Sequence, residues 1–296
     1  MSGFEVEEFP REESARAAIL RCRVGGVPEP QTDDLAREEP LEIRIGGRNI
    51  AVTMRTPGHD KELAAGFLLS EGIIRRAEDI SDMADSQGCE VSEFKNIIDV
   101  TLAPGVELDL EKLTRHVFAS SSCGVCGKAS IDAVRQNFPV IAAENLAVSL
   151  ETIARLPATL REAQATFART GGLHAAAIFD GRGKLLVLRE DVGRHNALDK
   201  VIGHGLLRGP FPFDEHVLLV SGRASFEIMQ KALAARIPIV CAVSAPSSLA
   251  VEFARENGQT LVGFLRGETM NIYAHAGRIA GAGVATSLRG AVAVAR

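Results

Sequence analysis

The chain has 296 residues, 46% of them hydrophobic and 24% charged, with a formal net charge of −5. That length buries a full core with room for two subdomains, and the acidic balance excludes non-specific attraction to nucleic acid or to an anionic membrane, so any phosphate site must be local. No apolar run reaches the roughly 20 residues of a membrane-spanning helix, and the acidic start MSGFEVEEFPREE is unlike a signal peptide, which points to a cytoplasmic protein.

Residues 1–38 are charged and interrupted by Pro10, Pro28 and Pro30, which predicts an irregular arm with at most one short element around 18–24. From residue 39 the pattern sharpens. Leu41, Ile43 and Ile45 alternate, Gly46-Gly47 follows, and Ile50, Val52 and Met54 alternate again, the signature of a β-hairpin. Pro57 and Gly58 end the hairpin. Asp60 then stands where it can cap a helix carrying Leu63, Ala64, Phe67 and Leu68, with Gly72 as the stop. Arg55, His59 and Asp60 share this turn and are open to either a ligand or a capping role. A polar run from Glu78 to Lys95 leads to the strand candidate IIDVTL at 97–102 and then to a helix at about 110–118. These elements make up a small α+β subdomain over 39–145.

The helix delivers the chain to ASSSCGVCGK, where Cys123 and Cys126 stand at C-x-x-C spacing among glycines and serines. The thiolate is the nucleophilic form of cysteine, and this spacing commonly lowers one thiol's pKa toward neutrality. Gly124, Gly127 and the serines give the segment the composition of a flexible arm. Half of a zinc site is an alternative, but Cys22, Cys89 and Cys241 are single and scattered and supply no second pair. A thioredoxin-like motif would sit near the start of a βαβ pattern, whereas this pair lies beyond a helical stretch in a lead-in of roughly 120 residues; a second helix at about 128–138 follows it.

The remainder, 146–296, changes character. A helical stretch over 150–167 precedes two strands, AAAIFD and LLVLRED, around the turn Asp180-Gly181-Arg182-Gly183. Helices then alternate with short apolar runs, VLLV (217–220), IVCAV (239–243) and TLVGF (260–264), the mark of strands buried on both faces of a three-layer α/β sheet. Ligands of such sheets bind beyond the carboxyl ends of the strands. Those ends read EDVGRHN, SGRAS, SAPSS and LRGET, which nominates Arg194, His195, Ser221, Gly222, Arg223, Ser244, Ser247 and Arg266. Three of the segments open helices, whose unpaired N–H groups favour anions, and the arginines add forked phosphate contacts; together they describe a cleft for a large phosphorylated ligand. His174, just before the first strand, fits a structural role or a ligand contact equally. The element order also resembles zinc nucleobase deaminases, but the helix starts lack their cysteines and catalytic glutamate, so no metal site is assigned.

Seven motifs carry a resemblance that spans most of the chain: TPGHDKELAAGFLLSEGII, SCGVCGK, TGGLHAAA, EDVGRHNALDKVIG, SGRASFEIMQKA, VSAPSSLAVEFA and GFLRGETMNIY. In this order they resemble the FdhD/NarQ family of sulfur carriers that formate dehydrogenases need. The resemblance implies a homodimer with a cytidine-deaminase-like C-terminal domain and a sulfurtransferase activity. It implies that a cysteine desulfurase loads Cys123 with persulfide sulfur, helped by Cys126. The acceptor would be the molybdenum or tungsten of the bis-molybdopterin guanine dinucleotide cofactor, with GDP able to fill the same site. The family's cofactor segment falls on Phe264, Leu265, Arg266, Gly267, Glu268 and Thr269. A cofactor-binding chaperone for formate dehydrogenase, whose cysteines only gate the cleft, is the alternative.

Overall fold

The computed structural model describes residues 13–85, 96–106, 138–142 and 146–282. The described residues begin with strands β1 (Ser14–Arg21) and β2 (Glu29–Ala36), an antiparallel pair with Ser14 opposite Ala36. The described part of the N-terminal arm is therefore a hairpin, where the prolines predict an irregular segment. Pro30 is tolerated because, among the described residues, β2 pairs with no strand beyond β1 and needs no second row of donors.

Strands β3 (Glu39–Ile45) and β4 (Arg48–Arg55) form the expected hairpin. Gly46 and Gly47 both have positive φ, 55° and 78°, the backbone that a two-residue turn of matching twist demands. Helix α1 (Asp60–Ser70) follows and ends as Gly72 predicts: the Gly72 and Ile73 N–H groups donate to the Leu69 and Leu68 carbonyls, each at 2.9 Å, with Gly72 at φ 71°. Its start differs from the expectation. His59, at φ 59°, is the N-cap and makes no side-chain cap bond, while Asp60 is drawn away to Arg55. Strands β5 (Ile80–Asp85) and β6 (Ile97–Leu102) complete a sheet of order β4-β3-β6-β5. β5 lies in the polar run from Glu78 to Lys95, which gave no strand signal because five of its six side chains stay at least partly exposed.

A two-residue strand, β7 (Val148–Ser149), leads into helices α2 (Leu150–Ala163) and α3 (Ala165–Thr170). The hairpin β8 (His174–Asp180) and β9 (Leu185–Asp191) comes next, then α4 (Arg194–Arg208), β10 (His216–Val220), α5 (Phe226–Ala234), β11 (Ile239–Ala242), α6 (Ser248–Glu256) and β12 (Thr260–Arg266). β13 (Thr269–Ala274) adds an antiparallel edge, and β14 (Ile279–Ala280) pairs with β7. The six-stranded sheet has the order β13-β12-β11-β10-β8-β9, with β10, β11 and β12 parallel and β8 antiparallel to β10.

Alternation along these strands divides the core. Leu218, Val220, Val240 and Ala242 pack with α1, α4, α5 and α6, whereas Val217, Leu219, Ile239 and Cys241 pack with Ile153, Leu156 and Leu160 of α2. Helices thus cover both faces, as the apolar runs imply. The two sheets are joined through α1 and α4, which cross at glycines: a Cβ on Gly66 would lie 1.8 Å from the Asp199 carbonyl oxygen, and one on Gly203 1.8 Å from that of Glu62.

Candidate functional site

The parallel strands β9, β10, β11 and β12 all end at one edge of the large sheet, and β8 begins there. His174 starts β8 opposite Asp191 at the end of β9. Ser221, just past β10, ties the strands: its Oγ accepts from the Ala175 N–H at 2.9 Å, and its own N–H donates to the Ala175 carbonyl at 2.9 Å. Gly222 then runs under His174 and Arg194, whose Nδ1 and Cδ lie 3.4 and 3.9 Å from where a Cβ would stand. A side chain here would fill the space between them.

Arg194 is the first residue of α4, and Gly193 before it gives no side-chain cap. The Arg194 Nε is buried and has no hydrogen-bond partner among the described residues. A buried guanidinium nitrogen without an acceptor costs free energy that an anionic ligand would recover. Arg223 is exposed on the next loop. Burial lowers the His174 imidazole below its ordinary range, and the charges of Arg194, His195 and Arg223 lower it further, against Asp191.

His195 points inward, with its Nε2–H donating to Glu227 Oε2 at 2.8 Å and Ser225 Oγ 3.5 Å from the same nitrogen. Burial works to raise the Glu227 carboxyl, but the hydrogen bond and charge of His195, with Lys231 and Arg194, hold it below the usual range and ionised. Glu227 escapes sequence reasoning because it occupies the second position of α5, where acidic residues ordinarily serve the helix dipole.

Farther along the edge, the Ser244 carbonyl accepts from the Phe264 N–H at 3.0 Å and the Val243 carbonyl from Arg266 Nε at 3.2 Å. Phe264 is 40% exposed and sits at φ 51°, a conformation that is uncommon outside glycine. Gly267 and Glu268 form the exposed turn to β13, and Thr269 Oγ1 closes it on the Arg266 carbonyl at 3.0 Å. Two nominated residues have side chains engaged in the fold. Ser247 caps α6 by accepting from the Ala250 N–H at 3.2 Å, and Leu265 is fully buried in the α2-facing core, which leaves only its backbone to a ligand. The helices after β10 and β11 start at Phe226 and Ser248, each behind a capping serine.

The carboxylates nearby are structural. Asp191, fully buried, pairs with Lys200 Nζ at 2.7 Å, and Asp199 pairs with Lys231 Nζ at 2.8 Å. Arg55, also fully buried, is held by both oxygens of Asp60 at 2.8 Å. His59 lies against Glu62, 3.5 Å away, outside the sheet edge. Cys123 and Cys126 fall outside the described residues. Of the cysteines that are described, Cys241 is buried in the sheet, which pushes its thiol far up, and Cys22 is exposed beyond β1.

The model of the FdhD/NarQ family matches residues 36–280, which include the whole of this edge. The chain belongs to the FdhD/NarQ family. It is 52% identical to the sulfur carrier protein FdhD of Streptomyces coelicolor over 90% of this chain and 95% of that protein. It is 44% identical to the FdhD of Saccharolobus solfataricus over 84% and 91%. A crystal structure of a protein assigned as a formate dehydrogenase accessory protein, from Desulfotalea psychrophila, superposes with a TM-score of 0.71 at 25% identity, covering 90% of this chain and all of that one. The FdhD/NarQ match begins at residue 36, where β2 ends, so the β1–β2 hairpin lies outside it. No helix among the described residues is long and apolar enough to cross a membrane.

Proposed function

We propose that this chain is a cytoplasmic sulfurtransferase that carries persulfide sulfur from a cysteine desulfurase to the metal of a bis-molybdopterin guanine dinucleotide cofactor bound for formate dehydrogenase. The observation that carries the acceptor half is the buried Arg194 Nε, which has no acceptor among the described residues, on a sheet edge whose loops also carry Arg223 and Arg266. Those residues fit the phosphates of a guanine dinucleotide. The names of the relatives support the sulfur half. The strand order, with antiparallel β8 between β9 and β10, supports a cytidine-deaminase-like framework for 146–296. A homodimer completes the reading.

In this reading the Cys123 thiolate attacks the terminal sulfur of the desulfurase persulfide. The new S–S bond forms as the desulfurase thiolate leaves. At the acceptor, the terminal sulfur passes to the metal, the Cys123 thiolate departs, and the two electrons that make the sulfur a sulfido ligand come from the metal. Cys126 assists this release. Cys241 is unsuited to the role, because a buried thiol with a raised pKa supplies no thiolate.

Intact-mass spectrometry after incubation with a cysteine desulfurase and cysteine tests the proposal, alongside GDP titration. Wild type gains about 32 Da, the mass of one sulfur, and Cys123→Ala does not, while both bind GDP. No added sulfur on wild type overturns the carrier reading. Active formate dehydrogenase with Cys123→Ala supports the cofactor chaperone instead.

A further inference from the structure

The turn between β4 and α1 takes no part in the sulfur-transfer reading, yet its first residue is wired into the start of α4. Thr56 is 1% exposed and spends all three of its polar groups there. Its N–H donates to Asp191 Oδ2 at 3.1 Å, its Oγ1 accepts from the Val192 N–H at 3.1 Å, and its carbonyl accepts from Lys200 Nζ at 2.8 Å. Asp191 Oδ1 accepts in addition from the Gly193 N–H at 2.8 Å and from Asn196 Nδ2 at 3.1 Å. Asn196 carries the bracing back to β4, donating to the Met54 carbonyl at 2.7 Å and accepting from Thr53 Oγ1 at 3.2 Å.

The backbone is thus pinned at 191, 192 and 193 in succession, and the next residue is Arg194. Gly193 belongs to the same construction, since a Cβ there would stand 2.9 Å from Asn196 Nδ2. Arg194 Nε makes no bond to any described residue, so the pinned backbone before it fixes where its side chain begins.

We propose that Thr56 is a positioning residue of the anion-binding edge: through Val192 and Asp191 it fixes the direction in which Arg194 leaves the start of α4. This rests on the reading of that edge as a phosphate site. The small sheet then does more than pack against the large one, because the end of its strand β4 sets the geometry of a site it does not touch. Displacing a positioned group by about 1 Å can cost up to about a hundredfold in its effect, so a small slip at 192–193 is sufficient.

The test is calorimetric titration of the full chain with GDP, paired with thermal unfolding. Thr56→Val keeps the shape and removes the acceptor of the Val192 N–H, and it should weaken GDP binding about tenfold, the scale of one unsatisfied buried donor. Thr56→Ser should restore the affinity to within about twofold, a shift too small for a lost hydrogen bond. Ile153→Val, which trims the α2-facing core, should lower stability and leave GDP binding unchanged. If Thr56→Val does not fold, Thr53→Val carries the test, with an expected loss of about threefold for a half-buried hydrogen bond. Wild-type affinity in the folded valine variant, or an equal loss in Ile153→Val, overturns the inference. Failure of wild type to bind GDP overturns the phosphate-site reading itself.

Discussion

Replacing Gly203 by alanine tests the joint on which both sheets depend. In an exposed helix this change stabilises by about 1 kcal/mol, because alanine is the better helix former. In α4 the new Cβ would stand 1.8 Å from the Glu62 carbonyl oxygen, 2.6 Å from its carbon and 2.9 Å from its Cα. All three are backbone atoms of α1, so no side chain can rotate away. To reach ordinary contact near 3.4 Å the helices must separate by about 1.5 Å, and a gap of 0.5–1 Å alone forfeits a quarter to a half of each dispersion contact along the crossing. Overpacking of this kind costs about 3 kcal/mol, which leaves a net loss of about 2 after the propensity gain. Differential scanning calorimetry should show Tm falling by about 4–6 °C. Gly277→Ala is the control, since a Cβ there meets nothing within 4 Å, and it should leave Tm unchanged. A Gly203→Ala protein as stable as wild type would refute the close crossing.

Acid should weaken the same joint in two steps. Burial acts to raise the Glu62 carboxyl, but hydrogen bonds from His204 and Arg189, at 2.9 and 2.6 Å, and the Arg189 charge hold it at about 2. A lowered carboxylate stabilises the fold above its unfolded value of 4.5, and that contribution is lost as pH falls toward 2; Glu62→Gln should flatten this part of a stability-versus-pH curve measured by urea unfolding. His59 is lowered to about 4 by burial and then by Arg189, which outweigh the attraction of Glu62, so the folded state resists protonation between pH 6.5 and 4 and His59→Asn should flatten that interval. Iodoacetamide under native conditions should label the exposed Cys22 and leave the buried Cys241 unmodified, as read by peptide mass mapping. Arg194→Ala should weaken GDP binding by about tenfold or more, the value of a charge-assisted hydrogen bond, with Tm nearly unchanged because its Nε holds no described partner. A large Tm drop in that variant would mark Arg194 as structural.

Periodicity and turn chemistry are local, and what they control was legible in the sequence. The alternation of Leu41, Ile43 and Ile45 around Gly46-Gly47 specifies the β3–β4 hairpin, and the apolar runs at 217–220, 239–243 and 260–264 specify strands covered on both faces. The rule that ligands gather at carboxyl ends of strands brings Arg194, Ser221, Gly222, Arg223 and Arg266 to one edge without a structure. Strands β5 and β13 stayed hidden because they lie at sheet edges, where exposed polar side chains replace the apolar signal.

Partner choice was decided by the tertiary structure alone. Asp60 stands where a helix cap belongs, yet the buried guanidinium of Arg55 takes it. Asp191 pairs with Lys200, Asp199 with Lys231, and Glu62 meets an arginine 127 positions away. His195 finds Glu227 across two helix starts, and Leu265 turns into the core from the middle of a segment read as ligand-binding. A charge or a side chain taken out of water must be satisfied by whatever the fold brings within about 3 Å, and that neighbour is set by how sheets and helices pack rather than by spacing along the chain.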